Sequence, residues 1–135
     1  METSKTWFVT GASQGLGLEL VKQLLAKEYN VIAVTRNSGK LKKALHIDSS
    51  KLLALDMDIT NEESVAKAIN EGINHFGKID FLVNNAGYGL LGGIEEASAS
   101  EVQTNFDINV FGLLNVTRAI LPFMRKEKSG TIIFS

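Results

Sequence analysis

Residues Lys5 to Gly17, K-T-W-F-V-T-G-A-S-Q-G-L-G, constrain the fold more than any other stretch of the chain. An apolar run ends in a glycine-punctuated turn, which opens onto a segment whose leucines recur at helical spacing. A strand that feeds a helix through so short a turn presents the helix's unpaired N–H groups just past the strand end. Phosphate sites are built from that arrangement. Gly11, Gly15 and Gly17 read G-x-x-x-G-x-G, a variant of the common dinucleotide spacing G-x-G-x-x-G. Glycine here permits the tight turn and a close approach of backbone to a pyrophosphate, and Ser13 and Gln14 add polar groups. The nucleoside triphosphate loop G-x-x-x-x-G-K-[ST] is excluded, because no Lys-Ser/Thr pair follows the glycines. An ordinary strand-to-helix turn without a ligand remains open on these residues alone.

The rest of the chain reads as elements arranged around this turn. A first buried strand covers 5–10. A helix from Gly15 to Lys27 follows, with Leu16, Leu20, Leu24 and Leu25 on its inner face and Glu19, Lys22, Gln23 and Lys27 outside. Val31 to Thr35 lacks polar alternation, as a parallel strand covered on both faces should. Arg36 to Gly39 reads as a turn, Lys40 to His46 as a short helix and Leu52 to Leu55 as a third strand. Thr60 with Glu63 forms a capping-box pattern for a helix carrying Val65, Ala68, Ile69 and Ile73 and ending near Phe76-Gly77. Ile79 to Val83 is a fourth strand leading into N-N-A-G, and a glycine-rich loop runs from Tyr88 to Gly93. Ser98 with Glu101 is a second capping-box pattern. A helical stretch follows to about residue 125, with a break expected near Phe106-Asp107. Leu113, Leu114, Val116, Thr117, Ile120 and Leu121 mark its buried side, and Pro122 tightens its last turns. Thr131 to Phe134 is the fifth strand.

Alternating strands and helices joined by short loops predict an α/β, Rossmann-like, doubly wound parallel sheet in three α/β/α layers. Right-handed crossovers with a switch after the first strand give strand order 3-2-1-4-5. With no repeat, linker or low-complexity tract, residues 1–135 read as one nucleotide-binding domain. A fifth strand with nothing after it would leave an apolar edge exposed.

Bulk composition narrows the functions. Fourteen basic against 15 acidic residues give a net charge of −1, which provides no basic surface for nucleic acid or anionic lipid. The absence of cysteine removes disulfides, thiolate nucleophiles and Cys-based metal sites. His46 and His75 stand apart with no ligand spacing, so no metal site is expected and both read as solvated helix-end residues. Glu95-Glu96 has no matching acid on a facing element, so glycosidase-like chemistry has no support. No signal-peptide pattern and no membrane-length apolar run occurs, which leaves the cytoplasm as the expected location.

At the end of the second strand, about 20 residues past the glycines, an NAD site ordinarily has an acid for the ribose hydroxyls. Here the residues are Val34-Thr35-Arg36-Asn37, with no acid and one arginine. A guanidinium holds a 2'-phosphate by a charge-assisted contact that a carboxylate would oppose. The expectation is NADP rather than NAD, with a solvated turn arginine as the alternative. Asp58, past the third strand, is a candidate acceptor for the adenine amino group, although Asp56 and Asp58 also fit as loop residues without a ligand.

Taken together, T-G-A-S-Q-G-L-G at 10–17, Asp58-Ile59, N-N-A-G at 84–87 and Asn109 in D-I-N-V-F-G resemble the short-chain dehydrogenase/reductase family, in order and spacing, over 5–135. The resemblance implies cofactor contacts from Gly11, Ser13, Gln14, Gly15, Leu16 and Gly17. It implies further contacts from Arg36, Asp58 and Ile59, and from Asn85, Ala86 and Gly87 beside the nicotinamide ribose. Asn109 would be the helix asparagine of the catalytic tetrad, holding a water in the proton relay. The implied reaction is hydride transfer between a nicotinamide and a small carbonyl or secondary alcohol, often in a homo-dimer or homo-tetramer. The family's catalytic serine would fall a little beyond Ser135, and its Tyr-x-x-x-Lys pair is absent: Tyr29 and Tyr88 lack a lysine four residues on. The chain therefore reads as a portion ending before the proton donor, with negligible turnover expected from it alone. The apolar loop Tyr88 to Ile94 fits either a substrate-pocket wall or a packed loop. A nucleotide-binding remnant that acts by binding a partner is the non-enzymatic alternative.

Overall fold

The computed structural model describes residues 4–13, 15–47, 49–85 and 98–134. Five parallel strands, β1 (Thr6–Val9), β2 (Asn30–Thr35), β3 (Leu52–Asp56), β4 (Phe81–Asn84) and β5 (Thr131–Phe134), form one sheet in the order β3-β2-β1-β4-β5. Among the described residues the α-helices are α1 (Gly15–Ala26), α2 (Ser38–Leu45), α3 (Glu62–Phe76), α4 (Ala99–Phe106) and α5 (Leu113–Glu127). The last two are joined by a π-helical segment, Asp107–Gly112. This is the expected three-layer α/β/α fold and the expected strand order.

Successive strand residues point to opposite faces, so each strand serves two cores. Val31 and Ala33 join Val9, Val83, Val21, Leu24, Leu41 and Leu45 on the α1/α2 face. Ile32 and Val34 join Phe8, Leu82, Val65, Ile69, Val116 and Ile120 on the α3/α5 face. Phe8, Ile32, Leu41, Ile69, Leu82 and Ile120 are fully buried; such side chains contribute about 2 kcal/mol each. The unalternating apolar run in β2 is thereby explained: it is buried on both faces. At the sheet edge, β5 exposes Ile133 and Phe134. No helix among the described residues is long and apolar enough to cross a membrane.

The structure corrects several local expectations. Leu16 is 79% exposed rather than on the inner face of α1: the buried positions are Gly17, Val21 and Leu24, so the inner face begins one residue later. α2 starts two residues before Lys40, with Asn37 Oδ1 accepting from the Lys40 N–H at 3.1 Å, so the expected turn is already cap and first turn. α3 is capped by Asn61, whose Oδ1 accepts from the Ser64 N–H at 3.0 Å, and not by Thr60. Thr60 instead donates its hydroxyl to Asp58 Oδ1 at 2.7 Å. β4 begins at Phe81, later than the apolar run suggests. In α5 the buried stripe is Val116, Ile120 and Met124, while Leu114 is exposed. The Ser98 cap holds, accepting from the Glu101 N–H at 3.1 Å. α5 also runs through Pro122, and the helical stretch changes character at Asp107, as expected.

Candidate functional site

Parallel strands bring every β-to-α connection to the carboxyl edge of the sheet. β1 pairs with β2 on one side and β4 on the other, so chain connections leave β1 in opposite directions and a crevice opens at its end. The glycine turn lies there. Gly11 and Gly15 have φ of 60° and 61°, in the left-handed region that glycine adopts without strain. A side chain at Gly17 would collide with the Gly11 carbonyl and lie 2.5 Å from Asn85 Nδ2, so α1 seats directly on the turn. Above Gly15 the space is open among the described residues. Leu16, exposed beside it, is the first large side chain of the helix.

Thr10 and Asn85 fasten the turn to β4. The Thr10 hydroxyl accepts from the Asn85 N–H at 2.8 Å and donates to the Val83 carbonyl at 3.3 Å, and Asn85 Nδ2 donates to the Gly11 carbonyl at 3.4 Å. On the opposite side the Ala12 N–H donates to the Val34 carbonyl at 3.3 Å. Sequence reasoning places Thr10 only as the first residue of the T-G-A-S-Q-G-L-G motif and gives it no role, since its bond to Asn85 depends on the pairing of β1 with β4. Asn84 is buried, its Nδ2 donates to the Thr117 hydroxyl at 3.2 Å, and its side-chain Oδ1 has no partner among the described residues.

The ends of β2 and β3 form the second part of the crevice. Arg36, Asp56, Met57, Asp58 and Ser64 line an open pocket of about 400 Å³. Arg36 lies 3.8 Å from Asp58 Oδ1, with its side chain 70% exposed. An exposed pair contributes only about 0–1 kcal/mol, so it does not withhold the guanidinium from another anion. The same Asp58 oxygen accepts from the Thr60 hydroxyl and from the Thr60 N–H at 3.0 Å. These bonds, aided by Arg36, hold the Asp58 carboxyl below the ordinary carboxylate range. The Ile59 side chain is buried in the α3/α5 core, and its carbonyl accepts from Asn115 Nδ2 at 3.1 Å. A Cβ at Gly112 would meet Ile59 at 2.9 Å, so the end of the π-helical segment rests on the loop after β3.

Asn109 sits on the backbone of that π-helical segment. Such segments are rare and recur at functional sites, because the extra residue per turn re-aims side chains. The Asn109 side chain lies outside the described atoms, and Gln14, Ala86, Gly87, the loop Tyr88 to Ile94 and Ser135 lie outside the described residues. The described elements thus bring together Gly11, Ser13, Gly15, Leu16, Gly17 and Asn85 at the end of β1. Arg36 and Asp58 meet at the ends of β2 and β3.

Known proteins are similar to this chain in sequence and in fold. The short chain dehydrogenase family model matches residues 5–135. An uncharacterised oxidoreductase of Schizosaccharomyces pombe is 39% identical over 128 residues, covering 95% of this chain and 42% of the relative. A short-chain dehydrogenase from Streptomyces avermitilis superposes with a TM-score of 0.91 at 33% identity, over 99% of this chain and 49% of that one. The 3-ketoacyl-(acyl-carrier-protein) reductase of Brucella melitensis, solved with NADH, gives 0.89 at 28% identity, over 98% of this chain and 57% of that one. The chain spans about half the length of the curated relatives it matches. With a fold that carries a dinucleotide crevice at the end of β1 and a family match over residues 5–135, the chain belongs to the short-chain dehydrogenase family.

Proposed function

We propose that residues 1–135 form the nucleotide-binding domain of an oxidoreductase that transfers hydride between NADP(H) and a carbonyl or secondary alcohol. The observation that carries this reading is the glycine turn at the switch point, with a pocket at the ends of the flanking strands lined by Arg36, Asp56 and Asp58. The residues present fit a dinucleotide: space is open above Gly15, and the Arg36 guanidinium is exposed toward the pocket. Gly11, Ser13, Gln14, Gly15, Leu16 and Gly17 would hold the pyrophosphate against the start of α1. Arg36 would hold the 2'-phosphate, Asp58 and the Ile59 backbone the adenine, and Asn85, Ala86 and Gly87 the nicotinamide-side ribose. When bound, the nicotinamide supplies the hydride. Asn109 would orient a water in the proton relay. Neither a Tyr-x-x-x-Lys pair nor the family's serine occurs in the 135 residues, so binding without turnover is the expected behaviour of the chain by itself.

Calorimetric titration with NADPH and NADH tests the reading. NADPH should bind more tightly, and Arg36→Gln should weaken NADPH by about tenfold while leaving NADH nearly unchanged. Clearly tighter NADH would overturn the NADP assignment. Failure of both nucleotides to bind would overturn the domain's function, and rapid NADPH oxidation with simple ketones or aldehydes would refute the expected inactivity. Assembly into a dimer or tetramer and a cytoplasmic location belong to the same proposal. A reading as a non-catalytic binder draws on the exposed Ile133 and Phe134 at the sheet edge; it gains if nucleotide binding fails while the fold persists.

A further inference from the structure

The second strand ends without the acid that ordinarily receives a ribose 2'-hydroxyl, yet the sheet brings an acid to the same place from its neighbour. In the parallel register Thr35 lies opposite Asp56, so the ends of β2 and β3 are level. Asp56 Oδ1 accepts from the Ser38 N–H at 2.7 Å, at the first residue of α2, and Asp56 lines the pocket together with Arg36 and Asp58. Its carboxyl is held below the ordinary range by the Ser38 N–H and hydroxyl, with Lys42 adding a smaller pull.

We propose that Asp56 is a specificity-determining residue of the nucleotide site, opposing a 2'-phosphate and accepting from a ribose 2'-hydroxyl. The inference rests on the dinucleotide reading above and refines it. A 2'-phosphate carries about two negative charges at neutral pH. In this pocket it meets one guanidinium and two carboxylates. The N-terminal N–H of α2, which would otherwise favour a phosphate, is already engaged by Asp56. Lys42 offsets part of that negative charge from the next turn of α2. The balance is a site that accepts both nucleotides, with a smaller NADPH preference than Arg36 alone would set.

The test compares the wild-type chain with Asp56→Asn, which keeps an oxygen to accept from Ser38 and removes the charge. NADPH and NADH are titrated, with 2',5'-ADP and 5'-AMP as probes of the adenosine half. Repulsion between a unit charge and a phosphate several ångströms apart in a water-like dielectric predicts that the NADPH-to-NADH affinity ratio rises about fivefold. 2',5'-ADP should tighten by a similar factor and 5'-AMP should not. An unchanged or lowered ratio overturns the proposal and leaves Asp56 as a cap of α2 only. A shift produced by Asp58→Asn but not by Asp56→Asn overturns it equally. Asp56→Ser repeats the comparison should the first variant fail to fold. If the wild-type chain binds neither nucleotide, this inference falls together with the dinucleotide reading; binding without a ratio shift removes the inference alone.

Discussion

Replacing Gly17 with alanine tests whether the glycine turn is held by close contact or only by conformational freedom. Gly17 lies inside α1, where alanine is favoured over glycine by about 1 kcal/mol. Propensity alone therefore predicts a more stable protein. The structure predicts the opposite, because the new Cβ would run into the Gly11 carbonyl, a backbone atom, and would lie 2.5 Å from Asn85 Nδ2. Backbone cannot rotate aside as a flexible side chain can, so the turn or the helix must move. Overpacking of this kind costs about 1–3 kcal/mol, and a collision with backbone belongs at the upper end. The net expectation is a loss of about 2 kcal/mol, which for a domain of this size lowers Tm by about 6–8 °C. Thermal unfolding followed by circular dichroism measures it. Gly15→Ala is the control: its Cβ meets open space, but its φ of 61° makes alanine strained, at a cost of about 1–2 kcal/mol. A Gly17→Ala protein as stable as the wild type, or more stable, would refute the seating of α1 on the turn.

Further expectations concern the loops at the ends of β2 and β3. Asn61→Ala should cost about 1 kcal/mol through loss of the α3 cap, read as a lower urea midpoint, with Thr60→Ala costing less; the reverse order would restore Thr60 as the cap. The lowered carboxyls of Asp56 and Asp58 make stability depend on pH. Because their folded values lie below the ordinary 3.8, their stabilisation is complete above that pH and is lost as pH falls through the folded values. The Asp56→Asn/Asp58→Asn double variant should therefore lose less Tm than the wild type on acidification below about pH 4; parallel curves would refute this.

Much of this architecture is legible in the sequence because local rules agree with the global fold. The unalternating run Val31 to Val34, the glycines at 11, 15 and 17 and the Ser98 cap each name their own structure. Local rules and structure part where two local choices compete. Thr60 and Asn61 are adjacent and both suit a cap, and only the path of the loop decides that Thr60 turns to Asp58 instead. Leu16 fits the helical stripe by spacing, yet the buried face of α1 starts at Gly17, whose lack of a side chain lets the helix seat on the turn and leaves Leu16 outside.

By itself the sequence determined the strand and helix order, the parallel sheet in order β3-β2-β1-β4-β5, and the glycine turn as the centre of the site. Those properties follow from periodicity and from the steric needs of single residues, which are local. Which residues gather at the carboxyl edge was decided only by tertiary structure. Pairing β1 with β4 sets Thr10 against Asn85, 75 positions apart in the chain. The register of β2 with β3 sets Asp56 beside the end of a strand that has no acid of its own. No spacing rule carries that information, because hydrogen-bond register, not chain separation, determines which strand ends stand level.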